Sequence, residues 1–459
     1  MRVLLVKPRE LSDSIQPNLG LGFLAAALSE RHQVELFDAI RLHAKPARLA
    51  SKIESFRPKL IGFQVNTYGR RLDLPYIQTA RNAAPNATIV LGGADPSADP
   101  AGAWEFYGDL VDWMIRGEAE NALPALIELI ANNSSDYASV AGLVRRTDAG
   151  IESNPLDRVD LAQVPLPRWD LLRPDLAPPA PQGAFYRATP LAPISISRGC
   201  PHPCTFCGAS AISGRRVRYR PLESVIEEIE LLRRDYGINE IHVVDDNFTH
   251  DGDYVRAFCE RILAGPRLWW LCPNGLRIDT LDRELVRLMF RAGCYSMNLG
   301  IESGSNRMLS LIRKNLTVEQ VRSTAQMLHE EGFLLRGFFL YGFPTETRQE
   351  RRQSLKLAME LPLAVGHFML FHPFPGTSAY EALECGDYAG TWRRDAPTLA
   401  EVAFVPEGTT ASRLKNEQRW ALLRFHARPR VIIEILRNVR GPRHLVYLLL
   451  RIMRWLVGV

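Results

Sequence analysis

Up to about residue 135, short apolar runs alternate with stretches whose apolar residues recur at helical spacing. Residues 3–6, 34–37, 60–65, 88–91 and 111–115 predict strands. Residues 19–29, 46–56, 74–84 and 123–131 predict helices. The strand runs are continuously apolar rather than alternating, the pattern of a parallel sheet covered on both faces. A doubly wound, Rossmann-like α/β domain is therefore expected over residues 1–138. Ligands of such open sheets lie beyond the carboxyl ends of the strands. The loops there are residues 7–19, 66–71, 92–98 and 116–121, and Gly92 and Gly93 let a ligand approach the backbone.

Residues 139–193 predict a hairpin turning at Asp148-Ala149-Gly150 and then a linker. Residues 155–193 hold nine of the 31 Pro, too many for regular helix or central sheet. A second alternation follows over residues 194–375. Strands are predicted at 194–197, 240–244, 269–272, 296–300, 335–340 and 367–371. Helices are predicted at 222–234, 253–263, 282–292, 318–331 and 349–361. Six βα units in so short a span suit a partial (β/α)6 barrel of the TIM type. A helical, basic region over residues 376–459 completes the chain.

One motif carries chemistry. Cys200, Cys204 and Cys207 stand at C-x3-C-x2-C spacing just after the first strand of the second alternation, at the barrel end where active sites form. A loop with Gly199, Pro201 and Pro203 cannot be helix, so it can wrap three thiolates around one inorganic centre. Three is one short of the usual four ligands of an iron–sulfur cluster, which leaves one iron open to a small chelating ligand. Zinc with His202 as fourth ligand is the competing reading. The remaining cysteines, Cys259, Cys272, Cys294 and Cys385, read as packing residues.

Cys200, Cys204 and Cys207, with Phe206 before the last, resemble the signature of the radical S-adenosylmethionine (radical SAM) enzymes. Residues 219–221, 244–248, 272–277, 299–304, 337–344 and 373–377 are similar to further segments of that family. Residues 19–21, 91–93 and 116–118 fit its subgroup with an N-terminal cobalamin-binding domain. The resemblance implies a [4Fe-4S] cluster held by the three cysteines. S-adenosylmethionine would chelate the open iron and be cleaved reductively to methionine and a 5′-deoxyadenosyl radical, which takes hydrogen from an organic substrate. It also implies a reducing partner such as flavodoxin or ferredoxin. For S-adenosylmethionine it points to Phe206, to Asp246 near the methionyl part, to Glu302 for the ammonium or ribose, and to Arg336 for the carboxylate. Gly337 and Gly342 flank the fifth strand, where small size would let the adenine lie on the backbone. The structural alternative for each charged residue is a salt bridge or a cap, Asp245 above all.

Cobalamin is left open. The family's Asp-x-His-x-x-Gly run would fall on residues 7–14, which read Lys-Pro-Arg-Glu-Leu-Ser-Asp-Ser and hold no His. A His ligand to cobalt is not expected, whereas binding without one, around Gly92 and Gly93, stays open beside a domain kept as scaffold. With cobalamin the expected reaction is methylation of an unactivated carbon of a natural-product or lipid-like substrate. Without it the alternatives are radical dehydration, epimerisation or cyclisation. A cluster- or cobalamin-binding sensor or electron carrier is the non-enzyme alternative.

Composition adds two constraints. The 459 residues are 46% apolar and 23% charged, ordinary globular values, and seven Cys do not make a secreted disulfide scaffold. No stretch is apolar enough to span a membrane, and residues 1–10 do not form a signal peptide, so a cytoplasmic protein is expected. The net charge of +5 is unevenly spread: residues 411–459 hold 11 Lys and Arg against Glu417 and Glu434. That tail suits either helices packed on the barrel with Arg outward or amphipathic helices at the inner face of a membrane. It carries no RNA-module signature, and no nucleic-acid partner is expected.

Overall fold

A computed structural model describes residues 1–10, 16–177, 185–393 and 401–457. Residues 11–15 of the first ligand-side loop and 178–184 of the Pro-rich stretch lie outside the described residues, as do 394–400 and 458–459 of the C-terminal region. The chain splits into two compact units, Met1–Ala177 with Gly208–Gly214, and Pro178–Cys207 with Arg215–Val459.

The first unit runs β1 (Arg2–Lys7), α1 (Leu19–Ser29), β2 (Gln33–Asp38), α2 (Pro46–Phe56), β3 (Leu60–Val65), α3 (Arg70–Ala83), β4 (Thr88–Gly93), α4 (Ala94–Ala98), α5 (Pro100–Tyr107), β5 (Trp113–Ile115), α6 (Ala122–Ala131), β6 (Leu143–Thr147), β7 (Gly150–Ser153) and α7 (Trp169–Leu172). The later helix α8 (Ala209–Ser213) belongs to it as well. Its sheet has the order β2-β1-β3-β4-β5-β6-β7. The unbroken apolar run of β1 is explained by cover on both faces. Leu4 and Val6 pack with Leu49 and Ile53 of α2 and Ile77 of α3. Val3 and Leu5 pack with Leu21 and Leu28 of α1 and Leu126 of α6.

Several expectations need correction here. The sheet is not purely parallel, because the hairpin β6–β7 joins its edge antiparallel to β5. Residues 94–98, expected as loop, are helical, and α5 was not foreseen. Asp99-Pro100 is its start signal: Asp99 accepts from the Gly102 amide and Pro100 occupies the first helical position. Helix α3 begins four residues before the expected start and carries Pro75 inside, where only the bond to the Arg71 carbonyl is lost. The Pro-rich stretch includes the helical turn α7.

The second unit runs β8 (Leu191–Ile194), β9 (Ser197–Arg198), β10 (Arg218–Tyr219), α9 (Leu222–Tyr236), β11 (Glu240–Val243), α10 (Gly252–Ala264), β12 (Trp269–Leu276), α11 (Arg283–Arg291), β13 (Cys294–Glu302), α12 (Asn306–Leu311), α13 (Val318–Glu330), β14 (Leu334–Tyr341), α14 (Arg348–Glu360) and β15 (Leu363–Leu370). Then come α15 (Ser378–Glu384), β16 (Gly390–Trp392), β17 (Phe404–Pro406), α16 (Ala411–His426), α17 (Pro429–Arg437) and α18 (Pro442–Val457). Six strands pair in parallel in the order β15-β14-β13-β12-β11-β8, a partial barrel as expected. Its first strand lies three residues earlier than expected and contains Pro193. An edge strand tolerates Pro because one side of its ladder is unused. Residues 197–198 form instead a separate two-stranded ribbon with β10. Strand β12 continues past residue 272 through Pro273, at a register shift between Cys272 and Gly275.

Candidate functional site

The cysteine loop is held at both ends before any ligand is considered. At the carboxyl end of β11, buried Asp245 accepts from the Ile196 amide at 2.8 Å, the Ser197 amide at 2.6 Å and the Ser197 hydroxyl at 2.7 Å. Burial pushes its carboxyl up to about 7, against the pull of these donors. Gly199 then takes a φ of +100°, which favours glycine, and turns the chain into the loop. The Thr205 amide donates to the Ile312 carbonyl at 3.1 Å, and the Thr205 carbonyl accepts from Ala379 at 2.9 Å. Phe206 meets Phe343 edge-on, ring centroids 5.6 Å apart. Cys200 and Cys204 are half-buried, Cys207 is exposed, and none of the three is in a disulfide.

Two cations neighbour the thiols. Arg277 donates to the Lys314 carbonyl at 2.8 Å and pairs with Asp279 at 2.6 Å. Burial disfavours its charge, but Asp279, Cys204 and Cys200 together hold it above its ordinary value. Lys314 is buried and pairs with buried Glu302 at 2.9 Å. Burial again opposes the charge, and Glu302 and Cys204 keep the ammonium protonated. Glu302 has a φ of +65°, an uncommon backbone state for a non-glycine residue at the end of a strand. The Cβ of any other residue at position 300 would lie 2.8 Å from Lys314 Nζ and 2.9 Å from Glu302 Oε1, so Gly300 makes the room for the pair.

Strand register assigns the faces. Paired residues of a parallel ladder point the same way, and successive residues point oppositely. Gly275 is opposite Asn298, Asn298 opposite Arg336, Gly300 opposite Phe338, and Phe338 opposite His367. These form a polar face with small residues at its centre. Arg336 Nη2 donates to His367 Nε2 at 2.9 Å. The Oδ1 of Asn298 and both side-chain amide atoms of Asn247 are buried with no hydrogen-bond partner among the described residues, an unmet polar demand that suits a polar ligand.

Gly337 belongs to the opposite face. A Cβ there would lie 2.7 Å from Leu363 Cδ1 and 3.0 Å from Ile301 Cδ1, so core packing requires a small residue at this position. Gly342 has a φ of +87°, a Cβ there would lie 2.7 Å from Leu414 Cδ2, and its amide donates to Glu346 at 2.6 Å. Asp246 is exposed beside buried Asp245 and Asn247. Arg336 lies inside β14, two residues after its start. Arg277, Lys314, Gly275, Gly300, Asn247 and Asn298 were not singled out from the sequence.

The donor set fits an iron–sulfur cluster: three thiols on a turn-rich loop, with two buried cations to offset a negative centre. Among the described residues no three His, Cys, Asp or Glu side chains gather closely enough for one metal ion.

In the first unit, the carboxyl ends of the strands are lined by polar groups. Lys7 pairs with Glu10, which also accepts from Asn66, and Arg70 pairs with Asp95 at 2.7 Å and Asp99 at 3.0 Å. Asp73 is buried, and that burial pushes its carboxyl up to about 8. Gly92 is open: the nearest atom to a Cβ there would be the Ile115 carbonyl at 3.9 Å. Gly93 is not open, because its φ is +102° and a Cβ would strike the Val65 carbonyl at 2.7 Å. Gly92 thus fits a ligand cradle, and Gly93 is demanded by the sheet itself.

A parallel partial barrel with a three-thiol loop at the carboxyl ends of its strands defines an enzyme of iron–sulfur radical chemistry. Residues 194–358 match the radical SAM superfamily and residues 11–127 match the B12 binding domain. An uncharacterized methyltransferase of Pyrococcus horikoshii is 28% identical, with 97% of this chain and 99% of that one covered. The cytidylyl-2-hydroxyethylphosphonate methyltransferase of Streptomyces wedmorensis is 26% identical over 78% of this chain and 76% of that one. The structure of the methyltransferase TsrM from Kitasatospora setae, with cobalamin and a [4Fe-4S] cluster bound, has the same fold. It superposes with a TM-score of 0.68 at 24% identity, over 84% of this chain and 75% of that one. The chain belongs to the radical SAM superfamily and carries a B12-binding domain ahead of the radical SAM domain. It is an enzyme whose cofactors are a [4Fe-4S] cluster and S-adenosylmethionine, with cobalamin supported by its first domain.

Proposed function

We propose that this enzyme methylates an unactivated carbon of a small organic substrate and depends on cobalamin to do so. The observation that carries the radical step is the loop of three thiols beside Arg277 and Lys314. Methyl transfer is supported by the open position at Gly92 in the B12-binding domain and by the methyltransferase relatives. When bound, the cluster supplies the electron that cleaves S-adenosylmethionine. Cys200, Cys204 and Cys207 would hold it, and Arg277 and Lys314 would offset its charge. Glu302, fixed by Lys314, would receive the methionyl ammonium or the ribose, and Arg336 the carboxylate. Asp246 would contact the methionyl part and Phe206 would wall the loop. Phe206 packs edge-on against Phe343 beside the thiols. Flavodoxin or ferredoxin is the proposed reductant.

Anaerobic reconstitution with iron, sulfide, cobalamin, reductant and S-adenosylmethionine carrying a labelled methyl group tests this. The expected products are 5′-deoxyadenosine and label on cobalamin. An intact cluster that yields no 5′-deoxyadenosine overturns the radical step. Turnover by cobalamin-free protein overturns methylation in favour of dehydration, epimerisation or cyclisation. Substitution of any one of the three cysteines by Ala should abolish cluster binding.

A further inference from the structure

The two last described helices each have one face fixed and one face bare. On α17, Val431 is buried, and Ile435 packs against Phe185, Leu334 and Ala364. The opposite side of the same helix leaves Ile432, Ile433 and Leu436 exposed at 43%, 47% and 58%. On α18, His444 stacks against Tyr186 with ring centroids 4.7 Å apart, and Tyr447 packs against Tyr186 and Leu191. Its other side exposes Leu445, Val446, Leu449 and Leu450. Single exposed aliphatics are normal on any protein, but two consecutive helices with continuous bare apolar stripes are not. Trp420 adds a bare indole on α16, the helix leading into this pair.

The charge around these stripes selects the occupant. Residues 411–459 carry a net +9, and Arg430, Arg437, Arg440 and Arg443 are exposed around the apolar positions. A cavity of about 540 Å³ between α14 and α16 is lined by Arg348, Arg352, Lys356, Arg424 and Trp420, with Glu360 and Glu417 pairing to Lys356 and Arg348. Arg352 and Arg424 have no ion-pair partner among the described residues. A second copy of this chain would bring an equal positive field against the first across a symmetric contact. Nucleic acid would use the arginines and leave the aliphatic stripes in water. An anionic bilayer satisfies both, because acyl chains take the stripes and headgroup phosphates take the guanidinium groups. No helix among the described residues is long and apolar enough to cross a membrane, so the contact is peripheral.

We propose that α16, α17 and α18 form a docking surface for the face of an anionic phospholipid bilayer. The test is co-sedimentation of the full chain with vesicles of phosphatidylcholine containing phosphatidylglycerol, against phosphatidylcholine alone. The expected result is binding to the anionic vesicles, weakened by added salt. The pairs I433E/L436E and V446E/L449E should each weaken binding by about tenfold or more while circular dichroism stays unchanged. The triple variant R430E/R437E/R440E should remove the preference for anionic lipid. Because it also leaves the apolar stripes intact, it separates loss of charge from loss of fold. Three results would overturn the proposal. They are no binding of folded protein to anionic vesicles, equal binding by the glutamate variants, and a dimer dissociated by I433E/L436E in protein indifferent to vesicles. Binding is read without substrate or S-adenosylmethionine, so it stands or falls separately from methyl transfer.

Discussion

Asp245 is the residue on which the cysteine loop hangs. Its carboxylate accepts three hydrogen bonds at 2.8, 2.6 and 2.7 Å from the segment that runs straight into Gly199 and Cys200. Asp245→Ala leaves the Ile196 and Ser197 amides buried without an acceptor, while the Ser197 hydroxyl can turn to another partner. Each stranded buried donor costs ~1–3 kcal/mol, so the two together cost about 2–6 kcal/mol. Asp245→Asn keeps the volume and one acceptor but turns an NH2 group toward a donor, a loss of about 1–3 kcal/mol. The exposed neighbour supplies the control: Asp246→Ala should leave stability within about 0.5 kcal/mol of the parent and impair only steps that involve bound S-adenosylmethionine. The assay is urea unfolding of the iron-free protein under anaerobic conditions, followed by iron and sulfide counting after reconstitution. The urea midpoint should fall in the order parent, Asn, Ala, and iron uptake should fall with it. An Asp245→Ala protein as stable as the parent and fully loaded with iron would refute the reasoning.

Burial raises the Asp73 carboxyl from its ordinary range to about 8. A raised carboxyl favours the folded state in full below the unfolded value, and that contribution is lost as pH rises toward 8. Asp73→Asn should therefore gain stability relative to the parent at pH 8 more than at pH 5, read from unfolding at both pH values; a difference that does not change with pH would count against it. Lys314→Met strands the buried Glu302 carboxylate and should cost ~3–5 kcal/mol, with partial recovery in the K314M/E302Q double variant. Additive losses in that thermal-melt cycle would show that the pair is not coupled. Gly337→Ala should destabilise by ~1–3 kcal/mol through contact with Leu363 and Ile301 and leave S-adenosylmethionine affinity unchanged in the folded fraction. A calorimetric loss of affinity without loss of stability would return Gly337 to the cofactor.

What was legible in the sequence follows from how local each signal is. The C-x3-C-x2-C loop is a contiguous string whose spacing alone encodes its geometry. The strands of both sheets announced themselves because cover on two faces removes polar residues, as at Val3, Leu4, Leu5 and Val6. Lys314 had no such signal, since one Lys in a short link between α12 and α13 looks like any surface lysine until the fold buries it against Glu302. Arg277 lay inside a matched segment, but its place beside the thiols depends on a register shift in β12 that no spacing encodes. Pro193 hid the start of the barrel because only the edge position of β8 makes a proline tolerable there.

Strand parity fixes the face of Gly337. Adjacent residues of a strand point to opposite faces, so Arg336 and Gly337 could not both serve one ligand on the same side of β14. Arg336 is on the polar face, opposite Asn298 on one neighbouring strand, and that assignment alone sends Gly337 toward Leu363 and Ile301. The same alternation, applied to β12 and β13, would have nominated Gly275 and Gly300 as the small residues of the site. Their Cβ positions point at each other's strand, Phe338 and the Lys314–Glu302 pair. A glycine in a strand thus means little until the parity of a polar neighbour fixes its face. Once Arg336 is placed, the parity of the whole sheet separates the glycines that open the site from the one that closes the core.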